Sequence, residues 1–145
     1  MSRFVRPETV TLKLSGGDTL TVRKRLTAGE ARARVERWTE TDPVTGELRA
    51  KVTRGGLATI TAYLVDWTLT DDAGRLVDLR GLPAAELEGI LDNLESESFT
   101  EIRQAIEAHE LAVLAEREAQ KKTAGPSASD PTSPLLAGVA GGTNG

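Results

Sequence analysis

The sequence predicts an α+β domain: an N-terminal β-hairpin packed with about four helices, mostly helical, followed by a disordered C-terminal tail. Three observations carry this. Residues 10–22 alternate apolar and polar around Gly16-Gly17-Asp18. The apolar period then changes to three and four through most of residues 28–122. From Thr123 onward the chain turns to Pro, Gly and Ser with a single charge, Asp130. The domain is placed at 1–122 and the flexible tail at 123–145.

The hairpin spans Glu8 to Arg25. Val10, Leu12 and Leu14 alternate with Thr11, Lys13 and Ser15, and Leu20 and Val22 resume the pattern after the turn. Gly-Gly-Asp supplies the positive φ angles such a turn needs. One face is apolar and requires a cover. Thr27-Ala28-Gly29-Glu30 has the form of a capping box, opening a helix to about Glu40. Ala31, Val35 and Trp38 form its stripe, the expected cover for the hairpin.

Pro43 and Gly46 mark a turn, with a weak short strand over Leu48–Val52. Leu57, Ile60, Leu64 and Trp67 recur at helical spacing and predict a second helix over 57–67. Trp67 would close its stripe and plug the gap toward the fourth helix, near Phe99. Leu69, Leu76 and Leu79 flank Asp71-Asp72-Ala73-Gly74, a small second hairpin or extended turn.

Pro83 suits the first position of a third helix, with Leu87, Ile90, Leu91 and Leu94 facing inward. Ser98-Phe99-Thr100-Glu101 is a second candidate capping box, opening a fourth helix that reaches Lys122. Its apolar residues are Phe99, Ile102, Ile106 and Val113, widened by Leu111 and Leu114.

Composition limits the chemistry. The 145 residues contain no cysteine, which excludes a disulfide framework, a thiolate nucleophile and cysteine-based zinc sites. The lone histidine, His109, reads as a helix-surface residue, and no triad assembles around it. Asp71 and Asp72 are interrupted by Arg75 and Leu76, without the ligand spread of a calcium loop. The glycine pairs lack the spacing of a phosphate loop. No catalytic residue, metal ligand or cofactor is expected, and the chain is read as a non-enzyme.

Net charge is −4, with 12 Lys/Arg against 7 Asp/Glu in residues 1–55 and 6 against 15 in residues 56–145. Arg32, Arg34 and Arg37 interleave with Glu30, Glu36 and Glu40, the pattern of a solvated helix face, so no nucleic-acid partner is expected. Glu86, Glu88, Asp92, Glu95 and Glu97 form the polar side of the third helix. No apolar run approaches the ~20 residues of a membrane span, and MSRFVRPETV lacks the apolar stretch of a signal peptide. A soluble intracellular protein is the expectation.

The run Tyr63-Leu64-Val65-Asp66-Trp67, then Thr68-Leu69-Thr70-Asp71-Asp72-Ala73-Gly74-Arg75, an acidic segment, and the helix Phe99-Thr100-Glu101-Ile102-Arg103-Gln104-Ala105-Ile106-Glu107-Ala108-His109-Glu110 resemble the tail assembly chaperones of long-tailed bacteriophages and prophages. The preceding hairpin and Leu26-Thr27-Ala28-Gly29-Glu30 fit the same pattern, so the resemblance covers roughly residues 8–120. It implies a non-enzymatic protein of the host cytoplasm that binds the tape measure protein, keeps it soluble and helps recruit tail tube subunits. Many such chaperones also have a frameshifted longer form, and Lys121-Lys122 lies where a shift site would fall.

A chaperone of this kind needs an apolar surface. Leu111, Val113 and Leu114 of the fourth helix and Leu135 and Leu136 of the tail are the partner-binding residues expected. The first three are alternatively core or a homo-oligomer contact. The competing functional class is a small structural virion protein, a tail or head–tail completion subunit. Because the tail has little to bury, removal of residues 124–145 is expected to leave the thermal unfolding midpoint unchanged, which a melt of the truncated chain checks.

Overall fold

The computed structural model describes residues 2–124. The chain divides into two compact units, Met1–Glu110 and the segment from Leu111 onward. The first unit is α+β, as the sequence predicts. Strands β1 (Thr9–Lys13) and β2 (Thr19–Arg23) form the antiparallel hairpin, with Val10 opposite Val22 and Leu12 opposite Leu20. Gly16 and Gly17 take φ of 73° and 87° in the turn between them, a conformation that favours residues without Cβ. Helix α1 (Ala28–Trp38) opens on the expected capping box: Thr27 Oγ1 accepts from Glu30 N, and Glu30 Oε1 accepts from Thr27 N.

Helix α1 stops at Trp38, short of Glu40. Thr39–Thr41 instead forms β3, pairing antiparallel with β4 (Leu48–Ala50) in a separate two-stranded sheet. The connecting turn is held by Asp42, whose carboxylate accepts from the backbone of Val44 and Thr45 and pairs with Arg49. A short 3₁₀ turn at Val52–Arg54 leads into α2 (Gly55–Tyr63).

The expected second helix ends four residues early. Leu64–Trp67 is strand β5, following Tyr63 without a loop and pairing antiparallel with β2. The sheet therefore has three strands in the order β1-β2-β5. Trp67 lies opposite Leu20, and Leu64 lies opposite Val22, so Val65 is an extra residue in a β-bulge. Strict alternation would put residues 64 and 67 on opposite faces of the sheet. The bulge resets it, and both are buried. Trp67 thus closes a sheet rather than a helix stripe, and its Nε1 donates to the Val77 carbonyl at 2.8 Å.

The turn at Asp71–Gly74 forms as expected, closed by a bridge between Thr70 and Leu76. Asp71 Oδ1 accepts from Ala73 N and Arg75 N, and Gly74 sits at φ 78°. Pro83 is the N-cap of α3 (Ala84–Asp92) rather than its first helical residue. Helix α4 (Ser96–Ala124) begins two residues before Ser98, so the expected second capping box does not form. Glu101 instead accepts from Ser15 N and Oγ at 2.7 and 3.0 Å, fastening α4 to the hairpin turn.

The core lies between the three-stranded sheet and helices α2, α3 and α4. Leu20, Val22, Ile60, Leu91, Ile102 and Ile106 are almost fully buried at its centre, each contributing about 1.5–3 kcal/mol by removal from water. Helix α1 contributes no fully buried residue. The hairpin is covered by α2 and α4, not by the α1 stripe. Replacing Trp67 with Phe should cost about 1–3 kcal/mol, because the Val77 carbonyl loses its donor and the smaller ring leaves a void. Urea unfolding followed by circular dichroism measures it.

Candidate functional site

Two features of the first unit adjoin one another: an open groove and the charged network beneath it. The groove encloses about 610 Å³. Ala31, Arg34, Val35 and Trp38 from α1 form one wall, at successive turns of a single helix face. Gly55, Gly56 and Thr59 from α2 supply small side chains at its base. Arg103 and Glu107 from α4 lie on the other side, paired at 2.8 Å, and Val52 stands at the lip. Val35 is 49% exposed and Val52 85%. The stripe expected to cover the hairpin therefore lines an open surface.

The two glycines differ. A Cβ on Gly56 would lie 2.6 Å from Arg103 Cδ, so the missing side chain lets the arginine stem cross α2. A Cβ on Gly55 would meet nothing within 4 Å. Its backbone is helical, at φ −59° and ψ −45°.

Beneath the groove, Glu110 of α4 gathers three elements. Arg34 of α1 donates to both of its carboxylate oxygens, at 2.5 and 3.2 Å, and the Tyr63 hydroxyl of α2 donates at 2.6 Å. Arg34 Nη2 also donates to Thr59 Oγ1 at 2.9 Å, and Thr59 Oγ1 donates back to the Gly55 carbonyl. The guanidinium lies 5.8 Å from the Tyr63 ring centre, within cation–π range. His109 meets the Tyr63 ring edge-on at 6.0 Å. Its Nε2 approaches the carbonyls of Arg23 and Lys24 at 3.1 and 3.2 Å; two acceptors require the hydrogen on that nitrogen. His109 is thus tied to β2, not a plain surface residue.

The network shifts its members' protonation. Burial pushes the Glu110 carboxyl up, but hydrogen bonds from Arg34 and Tyr63 and the arginine charge outweigh it, and the group is held below the usual carboxylate range. Burial, reinforced by the Glu110 hydrogen bond, raises the Tyr63 hydroxyl well above its ordinary value. The Glu110 hydrogen bond also raises Arg34. Arg37 and Arg54 both pair with Glu88 of α3, at 3.4 and 2.7 Å. Part of the interleaved charge on α1, and one carboxylate of the acidic α3 face, therefore hold helices together.

Of the expected partner-binding residues, Leu111 and Leu114 lie three positions apart on α4, so they share a helix face, and they are 67% and 52% exposed. Val113 is half-buried. All three belong to the second unit. Leu135 and Leu136 lie outside the described residues, as does the expected tail beyond Ala124; Thr123 and Ala124 continue α4. Among the described residues, no three His, Cys, Asp or Glu side chains gather where they could hold a metal ion, and no helix is long and apolar enough to cross a membrane.

Comparison with protein-family models, curated proteins and solved structures gives no match to this chain.

Sequence reasoning missed the Arg34–Glu110–Tyr63 network because Arg34 and Glu110 are 76 positions apart. The groove left a fainter signal. A stripe made only of Ala31, Val35 and Trp38 is narrow for a core-facing helix, and a glycine pair opens α2.

The pair is less than one-third exposed on either side, so it exceeds a surface salt bridge in worth. Glu110→Gln should destabilise the protein by about 1–3 kcal/mol. Because the folded-state pKa of Glu110 is depressed, its contribution is complete above the unfolded value near 4.5 and is lost as pH falls through the folded value. Urea midpoints measured across about pH 3 to 6 should therefore fall less steeply on the acid side in Glu110→Gln than in the wild type.

Proposed function

We propose that this protein is a non-enzymatic tail assembly chaperone acting in the host cytoplasm, where it binds the tape measure protein and supports assembly of the tail tube. The observation that carries this reading is the groove between α1, α2 and α4. It leaves Val35 and Val52 open to solvent although the domain has a well-filled core. Solvent-facing apolar surface of this kind is suited to shielding the apolar side of another chain.

Two further features support it. The motifs around Trp67 and along Phe99–Glu110 resemble those of phage tail assembly chaperones, and Leu111 and Leu114 add exposed apolar surface on α4. The net charge of −4 suits a protein that must keep an apolar partner in solution.

Co-expression with a tape measure protein is the test. The expected result is a soluble tape measure protein that co-purifies with this chain, and absence of this chain from finished particles. An insoluble tape measure protein, with this chain recovered in purified virions, would instead make it a structural virion component.

A further inference from the structure

We propose that two copies of this protein pair through the free edge of β1, antiparallel about a two-fold axis at Thr11, so that their three-stranded sheets become one continuous sheet. This goes beyond the chaperone reading and does not depend on it.

The hydrogen-bond parity of the hairpin leaves the edge open. Leu14 N donates to the Asp18 carbonyl, and Lys24 N donates to the Glu8 carbonyl. Opposed residues in an antiparallel ladder alternate between bonded and non-bonded pairs, so the even-numbered residues of β1 turn their N–H and C=O toward β2. Thr9, Thr11 and Lys13 turn theirs away. The same parity holds on the far side of β2, where the Thr19 carbonyl accepts from Thr68 N. Strand β1 is an end of the sheet, and all three residues are exposed. Among the described residues, no backbone donor or acceptor meets their outward groups. The opposite end of the sheet, β5, carries the bulge at Val65, a feature that discourages regular pairing.

Both ends of the free edge are closed, and the closures make it self-complementary. Beyond Thr9 the next outward position is Pro7, which has no N–H to offer. Beyond Lys13 it is Ser15, whose N–H is already donated to Glu101 Oε2 at 2.7 Å. What remains is symmetric about Thr11. Against an antiparallel second copy, Thr11 meets Thr11 and Thr9 meets Lys13, each as a bonded pair, and every free group of both edges finds a partner. Each Lys13 stands opposite a threonine, so no like charges face each other. On the core side, Val10 comes beside Leu12 of the second copy. Both are only partly buried in the single chain, whereas Leu20 and Val22, one strand inward, are 0% exposed. Pairing therefore extends the apolar layer past its present margin. Any extended strand could meet the backbone groups. The second copy also matches the closed ends, the placement of charge and the Val–Leu contacts, and a same-patch contact of this kind closes at two copies.

The contact is short and falls at the weak end of specific interfaces, so the full chain is studied from about 5 μM to 1 mM. Sedimentation equilibrium should show monomer and dimer without larger species. Amide hydrogen exchange followed by NMR locates the contact. The amides of Thr9, Thr11 and Lys13 should be unprotected in the dilute sample and protected in the concentrated one, while those of Val10 and Leu12, bonded to β2, are protected in both. Thr11→Lys sets two ammonium groups face to face on the axis and should weaken the dimer about tenfold or more. Residue 11 is exposed, so circular dichroism and the urea midpoint of dilute protein should be retained. Thr9→Glu faces Lys13 of the second copy and should tighten the dimer about three- to tenfold, whereas Thr9→Lys should loosen it. This second position reads the register and guards against misfolding of Thr11→Lys.

A monomer throughout that range overturns the inference. So does a dimer in which these outward amides stay unprotected, or one that Thr11→Lys and Thr9→Lys leave unchanged. Protection that appears only when a tape measure protein is added also overturns it, because the edge then pairs with a foreign strand. The chaperone reading is decided separately, by co-expression.

Discussion

The first unit depends on strand β2. Its inward residues, Leu20 and Val22, are completely buried, and both of its edges are hydrogen-bonded, to β1 on one side and β5 on the other. A central strand with a buried face fixes its neighbours, because slipping either pairing by one residue would turn apolar side chains toward water. The consequences radiate outward. Trp67 must lie opposite Leu20, α2 must end where β5 begins, and Ile60, Ile102 and Ile106 must close over the sheet. Arg23 at the end of β2 donates to the Ala62 carbonyl near the C-terminus of α2, where a cation also complements the helix dipole.

Helix α2 shows how a filled core and an open groove coexist. Six consecutive residues, Ala58 to Tyr63, are buried, so the helix has no solvated face along that length. Its threonines are accommodated by donating to carbonyls one turn back, Thr59 to Gly55 and Thr61 to Leu57. Of α2, Gly55, Gly56 and Thr59 reach the groove. Helix α1 then lies beside α2 and is anchored by polar contacts, Arg34 to Glu110 and Arg37 to Glu88, rather than by a buried stripe. Arg34 lies on the same face as Ala31, Val35 and Trp38, so the ion pair that anchors α1 stands within the wall of the groove.

Much of this architecture was legible in the residues, and the failures have definite causes. The hairpin followed from strict alternation around a glycine turn, and the start of α1 from its capping box. Both signals are local, and both appear in the structure. The segment Leu64–Trp67 misled for a physical reason: the bulge at Val65 places two buried residues three apart, which is also helical spacing. Leu57, Ile60, Leu64 and Trp67 therefore form an unbroken helical series in sequence while belonging to a helix and then a strand. At Ser98 a capping-box pattern was present, but α4 begins at Ser96 and Glu101 is drawn to the hairpin turn instead. The site was least legible, because its groove and its Arg34–Glu110–Tyr63 network join residues distant in sequence.

The junction at Tyr63–Leu64 has a consequence for how the chain can vary in length. A helix passes into a strand with no connecting residue, and the strand already carries one surplus position at Val65. Between residues 55 and 67 that position, Val65, is the one left unpaired between Leu64 and Trp67. Losing Val65 would erase the bulge and leave Leu64 and Trp67 two positions apart, still on one face, whereas any other change of length between them would break that shared facing. The turn between β3 and β4 is the opposite case: Val44 at its tip is 90% exposed, and the turn is closed locally by Asp42. Changes of length are thus absorbed best in the β3–β4 turn, which contributes no residue to the lining of the groove.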